Sequence, residues 1–344
     1  MVRQFSITLL CFLFYSCSQQ SEQHKLKGDY LNEGPPGEIA KLFAPAIVST
    51  SMNEDGGPIF TPDGNEIFWR IGGAPFSTFV YMKRENGLWP KPEIAPFSGQ
   101  YQDAGLSISP DGKKIFFTSK RPFKGIEIES KFYTWITEKV DGVWQDPIPA
   151  GAPIDHPDDY YTRVSVSSDG TLIKHSKASG GKGGYDLYIC RFVDGRYAEQ
   201  ENLPGDVNTE ANEYAPQISP DGSYILFQSD NRPDTTGASD IYVTFKMEDN
   251  TWSRGINLGE SVNTKHVEKW PNITPDGKYL FFTSDRPVEV KYAQYSKRRL
   301  SLNEIKALYE FYHSPKQGDR AGDAYWISTE IIKKLKEQVI NKNE

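Results

Sequence analysis

The chain has 344 residues, 37% of them hydrophobic, and its 19 Tyr, 19 Phe and 7 Trp stand beside 29 Gly and 23 Pro. Many short aromatic strands joined by tight turns suit this mixture better than a helical bundle does. A formal net charge of −7, with no basic run longer than Lys297-Arg298-Arg299, argues against nucleic acid as a partner, because such binding rests on neutralising phosphates.

Residues 1–16 carry one charge, Arg3, ahead of the apolar run Phe5 to Tyr15. That run is long enough for a signal peptide and short for a membrane-spanning helix. Phe14-Tyr15-Ser16-Cys17 resembles the lipobox of bacterial lipoproteins, although Phe14 stands where Leu is usual. The resemblance implies cleavage before Cys17 and a lipid on its sulfur, which anchors the chain to a membrane of the cell envelope. Residues 17–37 then read as a tether, polar from Ser18 to Lys27. With Cys11 removed and Cys17 acylated, Cys190 has no partner for an intramolecular disulfide.

From residue 38 onward one unit recurs. Phe60-Thr61-Pro62-Asp63-Gly64, Ile108-Ser109-Pro110-Asp111-Gly112, Val166-Ser167-Ser168-Asp169-Gly170, Ile218-Ser219-Pro220-Asp221-Gly222 and Ile273-Thr274-Pro275-Asp276-Gly277 are spaced by 48, 58, 52 and 55 residues. Each precedes an apolar strand such as Lys114 to Ser119 or Tyr279 to Ser284. The unit is therefore a turn between antiparallel strands: Pro presets φ, Asp bonds nearby backbone and Gly accepts positive φ. Third strands follow at Val80, Tyr133, Asp186, Asp240 and Asp323. In four repeats the third strand runs into a hairpin ending in Trp89, Trp144, Tyr197 or Trp252, an aromatic placed to pack on the next blade. The period suits four-stranded propeller blades.

The fifth repeat lacks a fourth strand, and a stretch like those that link the blades, Lys41 to Thr50, stands unpaired before the first turn. Lending that strand to the last blade closes the ring and removes the open edge. The fold expected is all-β: a single propeller of five four-stranded blades closed by an N-terminal strand, with six blades as the alternative. Residues 288–320 read as an insertion in the last blade. Within it, Ser301 to Glu304 fits a capping box, and Leu302, Ile305, Leu308, Tyr309 and Tyr312 recur at helical spacing. From Glu289 to Arg320 it carries seven basic and four acidic residues. A C-terminal helix is expected over about 328–340, with Ile331, Ile332, Leu335 and Val339 on one face.

These turns and spacings resemble the WD40-like, TolB-like β-propeller repeats of bacterial envelope lipoproteins, over nearly the whole mature chain. The resemblance implies architecture and leaves activity open, since propellers host unrelated functions.

Eight residues before the turn aspartates stand Asp55, Asp103, Tyr161, Glu213 and Glu268, four of the five acidic and all near the innermost strand. After the second strand come Arg121, Arg232 and Arg286, each followed by Pro. Two readings fit. The ring can be a polar funnel in which carboxylates and arginines clamp a ligand. Alternatively, the acids cap turns or pair with arginines of neighbouring blades, repeated because the blade is repeated. No Gly-x-Ser-x-Gly elbow occurs, and the hydrolase domain that accompanies prolyl oligopeptidase propellers has no counterpart in the sequence. His24, His156, His175, His266 and His313 lack zinc-site spacings. Oligogalacturonate lyases are propellers with a histidine-held metal, for which only His156, His175 and His266 lie in fitting blade positions. The expectation is a non-catalytic binding or scaffold module of the cell envelope, without cofactor or metal, engaging an envelope protein or glycan. A carbohydrate-active enzyme using the channel carboxylates is the alternative.

Overall fold

A computed structural model describes residues 26–50, 52–73, 76–122, 131–156, 159, 161–178, 180–288 and 322–343. The expected export signal, Cys17, the expected tether as far as residue 25 and the expected insertion over 289–320 lie outside these residues.

Five antiparallel sheets follow one another around a centre, each running from an inner strand outward. Blade 1 is Ile59–Phe60, Glu66–Gly73, Phe76–Lys83 and Glu93–Ile94. Blade 2 is Asp103–Ile108, Lys114–Ser119, Tyr133–Val140 and Ile148–Pro149. Blade 3 is Val164–Val166, Leu172–Ser176, Asp186–Cys190 and Glu201–Asn202. Blade 4 is Asn212–Ile218, Tyr224–Asp230, Asp240–Phe245 and Ile256–Asn257. Blade 5 takes Glu268–Ile273, Tyr279–Ser284 and Asp323–Ser328 from the end of the chain and Lys41–Leu42 from its beginning. Lys41 pairs with Trp326 and Leu42 with Tyr325, so the N-terminal strand closes a five-bladed ring.

The turns fold as their chemistry dictates. Gly64, Gly112, Gly170, Gly222 and Gly277 all take φ between 66° and 85°. Each aspartate accepts from the backbone N–H two residues on, as Asp111 does from Lys113 at 3.0 Å, and from the hydroxyl two residues back, as from Ser109 at 2.6 Å. These bonds hold the turn carboxylates below their ordinary pKa, against the upward pull of partial burial at Asp111. The Ser or Thr before each turn is therefore a working part of it.

Five apolar clusters fill the five seams between adjacent blades. Phe43, Phe60 and Trp326 belong to the cluster between blades 5 and 1, and Phe68, Phe79, Phe117 and Trp135 to the one between blades 1 and 2. The hairpin aromatics enter these seams from the side of the preceding blade instead of the next one. Trp144 of blade 2 packs on Phe68 of blade 1, and Trp252 of blade 4 joins Leu187 and Leu203 of blade 3. The cause is that the hairpin folds back over the linker arriving from the preceding blade: the Trp252 N–H donates to Pro204 O at 3.0 Å.

Residues 26–37, which in sequence continue the tether, are built into the propeller. Leu26–Lys27 pairs with Leu88–Trp89 of blade 1, and the Trp89 indole donates to Gly28 O at 2.8 Å. Tyr30 meets Phe60 and Tyr279 edge on, and Leu31 is buried. The C-terminal helix spans Glu330–Asn343, where its amphipathic pattern predicts it. Ile331, Ile332, Leu335 and Val339 cover the seam between blades 4 and 5 on the turn-bearing face.

Candidate functional site at the channel mouth

Asp103 and Glu268 start the inner strands of blades 2 and 5, Glu213 is the second residue of that of blade 4, and all three are fully buried. Arg121, Arg232 and Arg286 reach them from the loop after the second strand of the same blade, at 3.4, 2.7 and 3.0 Å. Each arginine also donates Nε to the serine closing that strand, Ser119, Ser229 or Ser284. The same guanidinium donates to a linker carbonyl from the preceding blade, at Phe97, Val207 or Val262. The structure thus brings the predicted acids and arginines together as bolts inside single blades that also tie each blade to its neighbour. Burial raises the Asp103 and Glu213 pKa values, while the paired arginines pull the other way.

Because this bolt is an internal part, its loss should register as instability. Glu213→Gln keeps the shape of the side chain but leaves Arg232 buried without a counter-charge. The expected cost is about 2–3 kcal/mol, read as a lower midpoint in urea unfolding. A change under half a kcal/mol would show that the carboxylate is not structural.

Blades 1 and 3 depart from the bolt. At the second-strand position that is Thr118, Gln228 and Thr283 in blades 2, 4 and 5, blade 1 has Arg70 and blade 3 has His175, as the strand registers show. In blade 3 the carboxylate is Asp159, ten residues before the turn, bonded by Lys174 and Ser176. Lys174 replaces the aromatic that its counterparts Phe117, Phe227 and Phe282 supply. Tyr161, which the spacing puts in the acidic ring, is instead an aromatic of the mouth.

In blade 1, Asp55 accepts from Arg70, from Lys269 at 2.6 Å and from the Trp270 indole at 3.1 Å. Burial alone would raise its pKa, yet the two cations hold it far below the ordinary carboxylate range. Arg163, on the approach to the inner strand of blade 3, is 1% exposed and runs across the channel. Its Nη atoms donate to Ala215 O at 3.3 Å, Pro271 O at 3.0 Å, Gln217 Oε1 at 3.2 Å and Asn272 Oδ1. Among the described residues it has no carboxylate partner, its Nε has no acceptor, and burial lowers its pKa to about 10. His175 is likewise buried, and its Nδ1 accepts from the backbone N–H groups of Arg163 and Ala215 at 3.2 and 3.3 Å. Burial drives its pKa down to about 3, so the ring is neutral.

Around this plug stands an arc of rings from four blades. Phe132, Trp270 and His175 lie 5.2, 5.8 and 6.0 Å from Tyr161, and Tyr185 and Tyr214 lie 5.6 and 6.0 Å from His175. Apart from His175 these rings are partly exposed. Arg70 lies over Trp270 at 5.4 Å. Trp270 itself has φ +57°, at the bulge where blades 2 and 4 carry Gly105 and Ala215. A bulky side chain in the left-handed region is strained, and such strain collects at functional sites. Beneath the arc, a cavity of about 20 Å³ is lined by Asp55, Arg70, Arg163, Trp270 and Asn272, room for about one water.

Among the described residues, no three His, Cys, Asp or Glu side chains gather as a metal site would require. His266 faces Asp285 at 3.8 Å, and His156 is held in the loop before blade 3 by its backbone N–H, which donates to the Asp159 carboxylate at 3.1 Å. The Cys190 thiol is buried and pushed up to about 11, which leaves it unreactive. No helix among the described residues is long and apolar enough to cross a membrane.

No protein-family profile matches the chain, and no curated protein matches it in sequence. Among solved structures, TolB from Acinetobacter baumannii aligns at 17% identity and a TM-score of 0.44, over 67% of this chain and 48% of that one. A protein described as TolB from Agrobacterium tumefaciens aligns at 19% identity and 0.44, over 69% and 71%. A puromycin hydrolase aligns at 13% identity and 0.38, over 76% and 39%. The alignment thus spans about half the length of the Acinetobacter protein. The strand pairing itself makes this a five-bladed propeller.

Proposed function

We propose that the protein is a non-catalytic binding module of the bacterial cell envelope, held to a membrane through Cys17, whose ligand docks on the mouth framed by Asp55, Tyr161, Tyr214, Lys269 and Trp270. The observation that carries this reading is the break in symmetry. Where the blades repeat, their polar residues are consumed in bolts. Where blades 1, 3 and 5 depart from the repeat, with Arg70, Arg163, His175 and Trp270, the departures converge on one end of the channel. A catalytic role for the ring would need a carboxyl free to exchange a proton. Asp55 is clamped in its ionised form, and Asp103, Glu213 and Glu268 are bonded to arginines.

Trp270→Gly tests the reading. Glycine relieves the left-handed backbone, offsetting part of the lost ring packing, so stability should stay within about 1 kcal/mol of the parent. Capture of ligand from envelope extract, or of sugars on a glycan array, should be lost. A variant that binds as the parent does would sink the proposal.

A further inference from the structure

We infer that the outer, turn-bearing edge of blades 2 and 3 is a membrane-contacting surface, with Val140, Val143, Ile148, Phe192 and Val193 set into the head-group layer of a phospholipid bilayer. The inference rests on the membrane attachment through Cys17 proposed above and adds which end of the propeller meets that membrane. Seven large hydrophobic side chains are exposed among the described residues, and these are five of them. They gather on one surface. Ile136 and Val140 point to the same side of the third strand of blade 2, with Ile148 opposite the first and Val143 opposite the second. Ile136 packs in the seam between blades 2 and 3 together with Tyr197, whose ring lies 5.0 Å from that of Phe192. A Cβ on Gly170 would stand 3.1 Å from the Phe192 Cβ, which seats Phe192 on the turn of blade 3. A joined surface of exposed apolar side chains marks a contact with protein or membrane.

Composition and reach favour the membrane. The five side chains are aliphatic apart from Phe192, whereas the anchors of protein interfaces are mostly Trp, Tyr and Arg. The chain also enters the described structure at the same end of the blades. Leu26–Lys27 pairs beside the blade 1 hairpin, Asp29 meets Arg84 at 2.9 Å, and Lys83 donates to Gly142 O of the blade 2 hairpin at 3.3 Å. The nine residue steps from Cys17 to Leu26 reach about 30 Å at full extension. Third strands of eight residues make the blades about 26 Å tall, and the mouth lies at their other end. With the mouth against the membrane, the connection would be stretched almost to its limit. With the turn-bearing end down it needs no stretching, and chain entropy favours that arrangement. The mouth then faces away from the membrane that holds the chain.

The test is fluorescence quenching on the full chain, purified in detergent from expressing cells and reconstituted with vesicles of phosphatidylethanolamine and phosphatidylglycerol, with and without brominated acyl chains. An environment-sensitive fluorophore is placed on one new thiol at a time: Val143→Cys, Val193→Cys and, on the mouth rim, Lys177→Cys, an exposed position over Tyr185. The buried Cys190 thiol stays unlabelled. Brominated lipid should quench the labels at positions 143 and 193 at least threefold more than the label at 177. Equal quenching at the three positions, or none at 143 and 193, overturns the inference. Labels at 143 and 193 that are shielded from water but not quenched, increasingly so at higher protein concentration, also overturn it and assign the surface to a second copy of the chain. The anchor is judged separately. A lipid on Cys17 blocks its thiol, so uptake of label by the parent chain would count against the anchor, while quenching at 143 and 193 would still uphold the membrane surface.

Discussion

Phe43→Ala is expected to cost about 3–5 kcal/mol, among the largest losses available from one side chain in this protein. The closing strand contributes only two paired residues to the fifth blade, so the backbone ladder cannot be what holds the ring shut. The seam is held by the apolar residues just after that strand. Phe43 is fully buried, with its ring 4.7 Å from Phe281 and 5.2 Å from Trp326, and Ala44, Ile47 and Val48 fill the space beside it. Truncating Phe43 leaves a cavity at the one place where the chain must meet its own beginning. Lys41→Ala, on the exposed side of the same strand, should change stability by less than about 0.5 kcal/mol. Urea unfolding of the two variants side by side reads the contrast. Equal losses would mean that the ladder, not the packing, closes the ring.

The second large effect is an acid limb in stability set by His175. In the unfolded chain this imidazole titrates near 6.5, whereas in the fold burial holds it neutral down to about pH 3. Below pH 6.5 the unfolded state therefore binds a proton that the folded state refuses. Stability is full above that pH, falls as the pH drops towards 3, and loses nothing further from this group below it. The total is on the order of 5 kcal/mol. His175→Gln, which installs the residue blade 4 carries as Gln228, removes the titration. Asp103 and Glu213, raised in the fold, act in the opposite direction, adding stability as they take up protons, but they do so equally in both proteins. The difference between the two stability curves should thus shrink from pH 6.5 to 3 as the parent loses its advantage. Parallel curves would show that His175 is protonated in the fold.

The blades are legible in the sequence because their signals are local. A Pro-Asp-Gly turn needs only its own five residues, and the orphan stretch after Lys41 can be matched to the missing fourth strand by counting. The acids and arginines of the bolts are legible as two separate series. Their pairing within one blade depends on how far the strand twists before the loop begins, which spacing does not encode. Blade 3 shows the limit. Counting eight residues back lands on Tyr161, because the loop ahead of its inner strand sets the carboxylate two residues earlier, at Asp159. The channel plug is invisible for a different reason. Arg163 sits in one blade and is anchored in two others, 52 and 109 residues further along the chain. Two signals do stand in the sequence: Lys174-His175 interrupts a strand that is otherwise apolar, and Trp270 occupies the register of Gly105 and Ala215. Residues 26–37 pass for tether because their polar composition hides Leu26, Tyr30 and Leu31, whose burial depends on partners far away in sequence.

That N-terminal segment has a mechanical consequence. Tension applied to the chain ahead of Leu26 is met first by the pairing of Leu26–Lys27 with Leu88–Trp89 and by Tyr30 and Leu31 wedged between blades 1 and 5. Only after these release does the load reach Lys41 and the seam. The segment is a strain relief, like the clamp on a cable that keeps a tug from opening the connector. A pull on the N-terminal end of the chain is thereby taken up before the ring opens.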